Sequence, residues 1–284
     1  MSFLPTLTGS FSQPAADNPT VAIMEAAYAH HGLDFRYLNT DVPPSLLADA
    51  VRGAKAMGFV GFNCSLPHKV AVIEHLDGLA ESARIIGAVN CAVKREGQWM
   101  GENTDGKGFL QSLVPVIDPA GQRIVVLGAG GAARAIAVEL ALAGAAQVTI
   151  VNRTEARGRE LAALVSSQTP AKSDFVLWQD DYTVPAEAGV LVNATSIGLA
   201  PRGDDRVPVV AASLQPYLVV ADVIPNPPRT VFLREAEARG CRTLDGLGML
   251  VNQAATNFEF WTGVKPDKTV MQQVLERVFG AKAG

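Results

Sequence analysis

Cysteine is scarce in this 284-residue chain: Cys64, Cys91 and Cys241 are odd in number and none stands in a CxxC pair. Neither a disulfide framework nor a zinc site is therefore indicated. Histidine is scarce as well; His30 and His31 close a helical pattern and His75 has no metal-spaced partner, so no metal is expected. Positive charge is not in excess, since 24 Lys and Arg face 28 Asp and Glu for a formal net charge of -4, with no basic stripe. That argues against a nucleic-acid partner. Long apolar runs are missing too: the most apolar region, Ile124 to Val151, is broken by Arg134, Glu139, Gln147 and several glycines, which excludes a membrane span. The first residues, Met1-Ser2-Phe3-Leu4-Pro5-Thr6-Leu7-Thr8-Gly9, offer neither a basic n-region nor a long h-region. They read as a first strand and not as a signal peptide, and a reducing cytoplasm is the expected compartment.

What is present suits small-molecule chemistry. Hydrophobic residues make up 48% and charged ones 18%, and the length fits about two domains. In mid-chain, Ile124 to Leu127 reads as a buried strand and Gly128-Ala129-Gly130-Gly131-Ala132-Ala133 as a tight phosphate turn. Arg134 to Leu142 is the helix that turn opens, and Gln147 to Val151 the next strand, ending in Asn152-Arg153-Thr154. The glycines let backbone N–H groups approach a pyrophosphate at a helix N-terminus, and Ala133 keeps helix and strand close. Where an acidic residue would take the ribose hydroxyls of NAD, Arg153 meets a 2′-phosphate instead, so the expected cofactor is NADP.

More than a hundred residues precede this unit, and they alternate helix and strand: helices over Pro19–His31 and Pro44–Met57, strands over Phe35–Asn39 and Phe59–Cys64. Helices over Lys69–Leu76 and Glu81–Ile86 follow, then a hairpin turning at Glu96-Gly97 and a linking helix from Asp105 to Val116. Beyond Val151 the alternation continues through strands at Phe175–Trp178, Val190–Asn193, Leu218–Asp222 and Arg242–Leu244, before helices over Met249–Trp261 and Lys268–Phe279. The expected fold class is α/β: an N-terminal α/β substrate-binding and catalytic domain over 1–104, rejoined by helices over 245–284, and a doubly wound Rossmann NADP domain over 105–244.

Three polar clusters follow apolar strands in the first domain: Asn63 to Lys69, Gly87 to Asn90, and Glu102 to Gly106. Hydride transfer between an alcohol and NADP needs a group that takes or gives the hydroxyl proton, and a lysine beside a carboxylate serves both directions. Lys69 and Asp105 are the candidates. Taken singly, each is equally readable as a solvated charge or, for Asp105, a helix cap.

Together these segments resemble the shikimate dehydrogenase family. Asn63-Cys64-Ser65-Leu66-Pro67-His68-Lys69 is similar to its N-x-T/S-x-P-x-K, Gly87-Ala88-Val89-Asn90 to its GAVN, and Asn103-Thr104-Asp105-Gly106 to its NTDG. The turn at Gly128, Asn152-Arg153-Thr154, Asn193 to Gly198 and Asp245 to Ala254 follow in the family's order. The resemblance implies NADP-linked interconversion of 3-dehydroshikimate and shikimate, a step of aromatic amino acid biosynthesis. It implies Lys69 and Asp105 as the catalytic pair, with Ser65, Asn90 and Gln253 on the ring hydroxyls. Gly128 to Ala133 would hold the pyrophosphate and Asn152, Arg153 and Thr154 the 2′-phosphate. Thr195 and Ser196, in the loop ending at Gly198, would flank the nicotinamide with Gly246 and Met249.

The match fails at the substrate's carboxylate. The family's Ser-x-Ser-Pro is absent: counting back from the first helix its serines fall on Asn18 and Thr20, counting forward from Gly9 on Ser10 and Ser12. Its D-x-x-Y-N-P tyrosine is Pro225, which donates no hydrogen bond. The alternatives are thus a paralogue acting on quinate, an aminoshikimate or another cyclic hydroxy acid, and a non-catalytic NADP-binding sensor. The expected partner is a small-molecule cyclic hydroxy acid, with neither nucleic acid nor membrane, and the oligomeric state stays open between monomer and homodimer.

Overall fold

The computed structural model describes residues 3–281; Met1 and Ser2 of the expected first strand, and 282–284 of the expected second helical return, lie outside the described residues. The chain forms two compact units, divided after Thr104 and again after Asn252.

The first unit is built on one sheet of β1 (Thr6–Ser12), β2 (Phe35–Asp41), β3 (Gly61–Cys64), β4 (Gly78–Leu79), β5 (Cys91–Arg95) and β6 (Gln98–Glu102), in the order β2-β1-β3-β5-β6-β4. β2, β1 and β3 run parallel, joined by α1 (Thr20–His30) and α2 (Leu47–Ala56), while β3, β5 and β6 pair antiparallel. The hairpin turns through Glu96 and Gly97 with φ of 50° and 83°, the pair of positive values that matches the strands' twist. Side-chain alternation along β1 separates two faces. Phe11 packs on Phe62, which meets Trp99, in a core closed by Leu47 and Val51 of α2. On the opposite face Thr8 shares a 2.9 Å hydrogen bond with the Tyr28 hydroxyl, and Tyr28 stacks on Phe258.

One expected element is different. The sequence periodicity predicts a helix over Lys69–Leu76, but the chain makes only a 3-10 turn over Ala71–His75. The reason is long-range: the Lys69 carbonyl accepts Val89 N–H at 2.7 Å, after the short helix α3 (Glu81–Ile86), and so is withdrawn from an α-helical ladder.

The second unit follows α4 (Thr104–Leu113) with β7 (Arg123–Leu127), α5 (Gly131–Leu142), β8 (Gln147–Asn152), α6 (Glu155–Gln168) and β9 (Lys172–Leu177). β10 (Val190–Asn193), β11 (Val219–Asp222), α7 (Val231–Ala238) and β12 (Arg242–Leu244) complete a parallel sheet ordered β12-β11-β10-β7-β8-β9. This is the doubly wound order with its switch point between β7 and β10, where ligands bind outside the strands' carboxyl ends. Every residue of β10 and β11 is buried, as expected of central parallel strands.

The last helices are α8 (Gly246–Thr262) and α9 (Lys268–Ala281). The return expected at 245 falls later, at 252/253: α8 starts from the second unit, its first turn capped by Asp245 Oδ1 and Asn252 Nδ2 donating to Ser112 Oγ at 2.9 Å. Gln253 is the first residue that groups with the first unit.

Candidate active site

In the first unit the carboxyl ends of β2, β1 and β3 carry a row of neutral polar side chains. Register places Asn39, Ser10 and Asn63 side by side across the three strands, pointing to one face. Ser10 Oγ donates to Asn39 Oδ1 at 2.8 Å and accepts Asn18 Nδ2 at 3.2 Å, while Asn39 Nδ2 donates to the Ala15 carbonyl at 2.7 Å. Asn18 Oδ1 takes the Thr20 N–H at 3.0 Å. The two carboxylate alternatives, Ser10 with Ser12 and Asn18 with Thr20, are therefore joined in a single network through Ser10 and Asn18. Ser12 Oγ is buried with no partner and lies on the same face of β1 as Ser10. The Asp41 carboxylate accepts the Ala15 N–H at 3.0 Å, so a negative charge flanks this end of the sheet.

One layer deeper, the Tyr37 hydroxyl donates to Asn63 Oδ1 at 2.8 Å; burial pushes that phenol up, so it stays a neutral donor. Asn63 Nδ2 donates to the Asn90 carbonyl at 2.9 Å, and Asn90 Nδ2 to Gln253 Oε1 at 3.2 Å. Two of the three expected ring-hydroxyl ligands, Asn90 and Gln253, are thus in direct contact. Ser65 is exposed on the loop after β3, its N–H held by the Phe11 carbonyl at 3.0 Å, and Lys69 is half-buried four residues on. Asn90 Oδ1 accepts both the N–H and the hydroxyl of Thr104, at 2.7 and 3.1 Å. Asp105 is the next residue in the chain, at the first turn of α4 and in the second unit. The neighbouring thiols take no part: burial pushes both Cys64 and Cys91 up, away from thiolate.

In the second unit the phosphate turn stands at the β7/β10 switch point. Gly128 has φ of 110° and donates to the Val151 carbonyl at 2.7 Å; a Cβ there would lie 3.0 Å from the Ala194 carbonyl oxygen. Glycine is required at that position by both the backbone and the crevice. Ala129, Gly130 and Gly131 open on a recess of about 310 Å³ that Arg134 and Arg157 also line. A turn whose N–H groups have no side-chain cap at the start of α5, with Arg157 and Arg134 beside it and Arg134 paired with Glu160 at 3.0 Å, suits a pyrophosphate or a phosphate. Ala132 follows, half-buried, and Ala133 is fully buried against the sheet. Asn152 folds its amide onto the Thr154 carbonyl at 2.9 Å, leaving Arg153 exposed at the edge of a recess of about 70 Å³ with Trp178, Asp180 and Ile197.

The loop expected beside the nicotinamide is held from below. Asn193 Oδ1 accepts the Thr195 N–H and hydroxyl, at 3.2 and 2.7 Å, and its amide donates to Asp222 Oδ1 at 3.0 Å. Asp222 also accepts from Thr230 Oγ1 at 2.8 Å and Ile224 N–H at 3.1 Å. Burial outweighs these bonds and pushes the carboxyl up to about 6. Ser196 is exposed, and Pro225 is half-buried on the loop that Asp222 anchors. Gly246 and Met249 lie in the first turn of α8.

Arg134, Arg157 and Asn39 were not among the residues expected from sequence. The two arginines had a signal, since Arg134 is one turn and Arg157 one helix from the phosphate turn; Asn39 had none, because only strand register brings it to Ser10. Among the described residues no helix is long and apolar enough to cross a membrane, and no group of His, Cys, Asp or Glu is arranged to hold a metal.

Comparison with known proteins shows the family and the fold. Residues 11–92 match the shikimate dehydrogenase substrate binding domain, 112–220 the shikimate / quinate 5-dehydrogenase family, and 246–276 the shikimate 5'-dehydrogenase C-terminal domain. A shikimate dehydrogenase (NADP(+)) from Shouchella clausii is 39% identical over 270 residues, covering 94% of this chain and 96% of its own. Among solved structures, ligand-free 5-ketofructose reductase of Gluconobacter sp. strain CHM43 is 60% identical with a TM-score of 0.95, over 98% of this chain and 100% of its own. Shikimate 5-dehydrogenase from Listeria monocytogenes, in complex with shikimate and NAD, is 33% identical with a TM-score of 0.93, over 97% and 98%.

Proposed function

The chain belongs to the shikimate dehydrogenase family, and from that footing we propose that it reduces an uncharged polyhydroxy ketone such as 5-ketofructose, with the machinery by which the family interconverts 3-dehydroshikimate and shikimate. It is an enzyme, an NADP-dependent oxidoreductase of the shikimate dehydrogenase type, which sets the sensor alternative aside. The observation that carries the choice of substrate is the end of the first sheet. Ser10 donates its hydroxyl proton to Asn39, and the side chains of Asn18, Asn39 and Asn63 are neutral. A carboxylate would meet the neutral side chains of Ser10, Asn18 and Asn39 and would face Asp41, whereas the hydroxyls of a neutral sugar match amides and hydroxyls as donors and acceptors. The 60% identity to a 5-ketofructose reductase supports the same choice.

In this proposal NADPH, when bound, supplies the hydride. Lys69 holds the proton that the carbonyl oxygen needs as it becomes a hydroxyl, and takes it back in the reverse direction. Asp105 orients the lysine and the reacting hydroxyl, while Ser65, Asn90 and Gln253 fix the neighbouring hydroxyls so that one carbonyl face is presented. Gly128, Ala129, Gly130, Gly131, Ala132 and Ala133 seat the pyrophosphate, with Arg134 and Arg157 beside it. Asn152, Arg153 and Thr154 take the 2′-phosphate; Thr195, Ser196, Gly246 and Met249 bound the nicotinamide. A cytoplasmic location belongs to the proposal, supported by three free cysteines.

A second reading is shikimate itself. It is favoured by the retained Asn90–Gln253 contact and by curated relatives named for that activity over nearly the whole chain. Steady-state NADPH oxidation with 5-ketofructose and with 3-dehydroshikimate separates the two. The neutral ketone is expected to have the higher kcat/KM; the reverse order assigns the chain to shikimate.

A further inference from the structure

Three residues spaced four apart on α8 face Asn90 and its neighbours: two meet the segment Asn90–Ala92 and the one between them meets Thr104, at the start of α4. Gln253 Oε1 takes Asn90 Nδ2 at 3.2 Å, Trp261 Nε1 donates to the Ala92 carbonyl at 3.1 Å, and between them Asn257 Oδ1 lies 2.8 Å from Thr104 Oγ1. Four-residue spacing puts all three on one side of the helix. Asn257 is fully buried, and in this orientation its amide nitrogen has no partner.

The proton count resolves that. Thr104 has one hydroxyl proton, yet its oxygen lies within hydrogen-bond distance of two acceptors, Asn257 Oδ1 and Asn90 Oδ1 at 3.1 Å. Turning the Asn257 amide puts Nδ2 at the 2.8 Å position, where it donates to Thr104 Oγ1. Thr104 then gives its proton to Asn90 Oδ1, and what is left without a partner is one N–H and a carbonyl oxygen in place of two N–H groups, an exchange in favour of the turned amide because an unpaired carbonyl is less costly to bury than an unpaired N–H. The protons now run one way, from Asn257 to Thr104 to Asn90. Asn90 Oδ1 receives two donors and its Nδ2 is thereby turned to Gln253.

We propose that Asn257 is a positioning residue for the substrate site: it fixes the Thr104 hydroxyl as a donor and through it the rotation of the Asn90 amide, at the residue that directly precedes Asp105. This rests on Asn90 and Asp105 being site residues, as proposed above. An amide that merely fills the core would stabilise the fold without biasing Asn90.

The test uses the full chain with NADPH and whichever of 5-ketofructose or 3-dehydroshikimate the wild type reduces. Asn257→Leu and Thr104→Val should each lower kcat/KM for the ketone roughly tenfold, with the KM for NADPH unchanged. The double variant should be no worse than the worse single, because both break one relay. Asn257→Asp should recover toward wild type as pH falls, since a protonated carboxyl donates to Thr104 and a carboxylate cannot. Wild-type kcat/KM in Asn257→Leu, or losses that multiply in the double variant, would overturn the proposal. Should Asn257→Leu fail to fold, Thr104→Val and the pH profile of Asn257→Asp decide: an unchanged kcat/KM in the first, or a profile parallel to wild type in the second, overturns it. A wild type that reduces neither ketone overturns the functional reading, and the inference with it.

Discussion

Asn193 donates its side-chain amide to Asp222 at 3.0 Å, joining the ends of the two most buried strands of the second unit. The pair sets the height of two loops at once: Asn193 Oδ1 holds Thr195, while Asp222 holds Ile224 and Thr230, the cap of α7. A carboxylate is thus used as a structural acceptor in a place where burial opposes its charge.

A pH dependence of stability follows from that conflict. The Asp222 carboxyl is pushed up to about 6 from 3.8, so the folded protein binds this proton more tightly than the unfolded chain does. Its contribution to stability is therefore fully present below about pH 4 and is lost as pH rises through 6. The loss is on the order of 3 kcal/mol. Asp222→Asn keeps an oxygen for Asn193 and Ile224 and offers an N–H to Thr230 Oγ1. Thermal unfolding between pH 4 and 7 should show the variant gaining on the wild type as pH rises; a constant difference would refute the assignment.

Cofactor selection is expected to reside in the exposed guanidinium of Arg153. A charge-assisted hydrogen bond is worth roughly 1.5–3 kcal/mol, about ten- to a hundredfold in affinity. Arg153→Ala should raise the KM for NADPH by that factor and leave the KM for NADH nearly unchanged. Arg157→Ala, on the first turn of α6, tests whether the recess it lines belongs to the same anion site. Equal effects of Arg153→Ala on the two cofactors would refute its role.

The proton-transfer pair is tested by kcat. Lys69→Ala and Asp105→Ala should each lower kcat by roughly 10²- to 10⁴-fold, with NADP binding, followed by fluorescence titration, nearly intact. The double variant should be little worse than either single if both serve one proton. Turnover at the wild-type rate in either single variant would remove the pair from the mechanism.

The contrast between the two units shows what a sequence makes legible. The Gly128 turn and Asn152-Arg153-Thr154 are local: each is a strand end followed by a helix start, and backbone geometry there depends on a few neighbouring residues. Lys69 is a site candidate by its motif, but the helix expected there does not form, because its carbonyl accepts the N–H of Val89 twenty residues away. The two-residue strand β4 has too few residues to show alternation. Asn39 and Asn257 are further out of reach, for one depends on the register of three strands and the other on a helix that returns from the far end of the chain.

The substrate end gives the last expectation. If the site is built for a neutral ketone, Asn18→Ala and Asn39→Ala should raise the KM for 5-ketofructose by several-fold to about tenfold each, the worth of one neutral hydrogen bond, with kcat less affected. Thr20→Ala should do little, since its N–H and not its hydroxyl is engaged by Asn18. Asp41→Asn removes a negative charge beside Ala15 while keeping an acceptor for its N–H, so it should favour the anionic ketone selectively. For an exposed charge that gain is at most a few-fold and should shrink with added salt. A KM for 3-dehydroshikimate that is low in the wild type and unmoved by Asp41→Asn, Asn18→Ala and Asn39→Ala would place carboxylate recognition elsewhere and return the chain to the shikimate reaction.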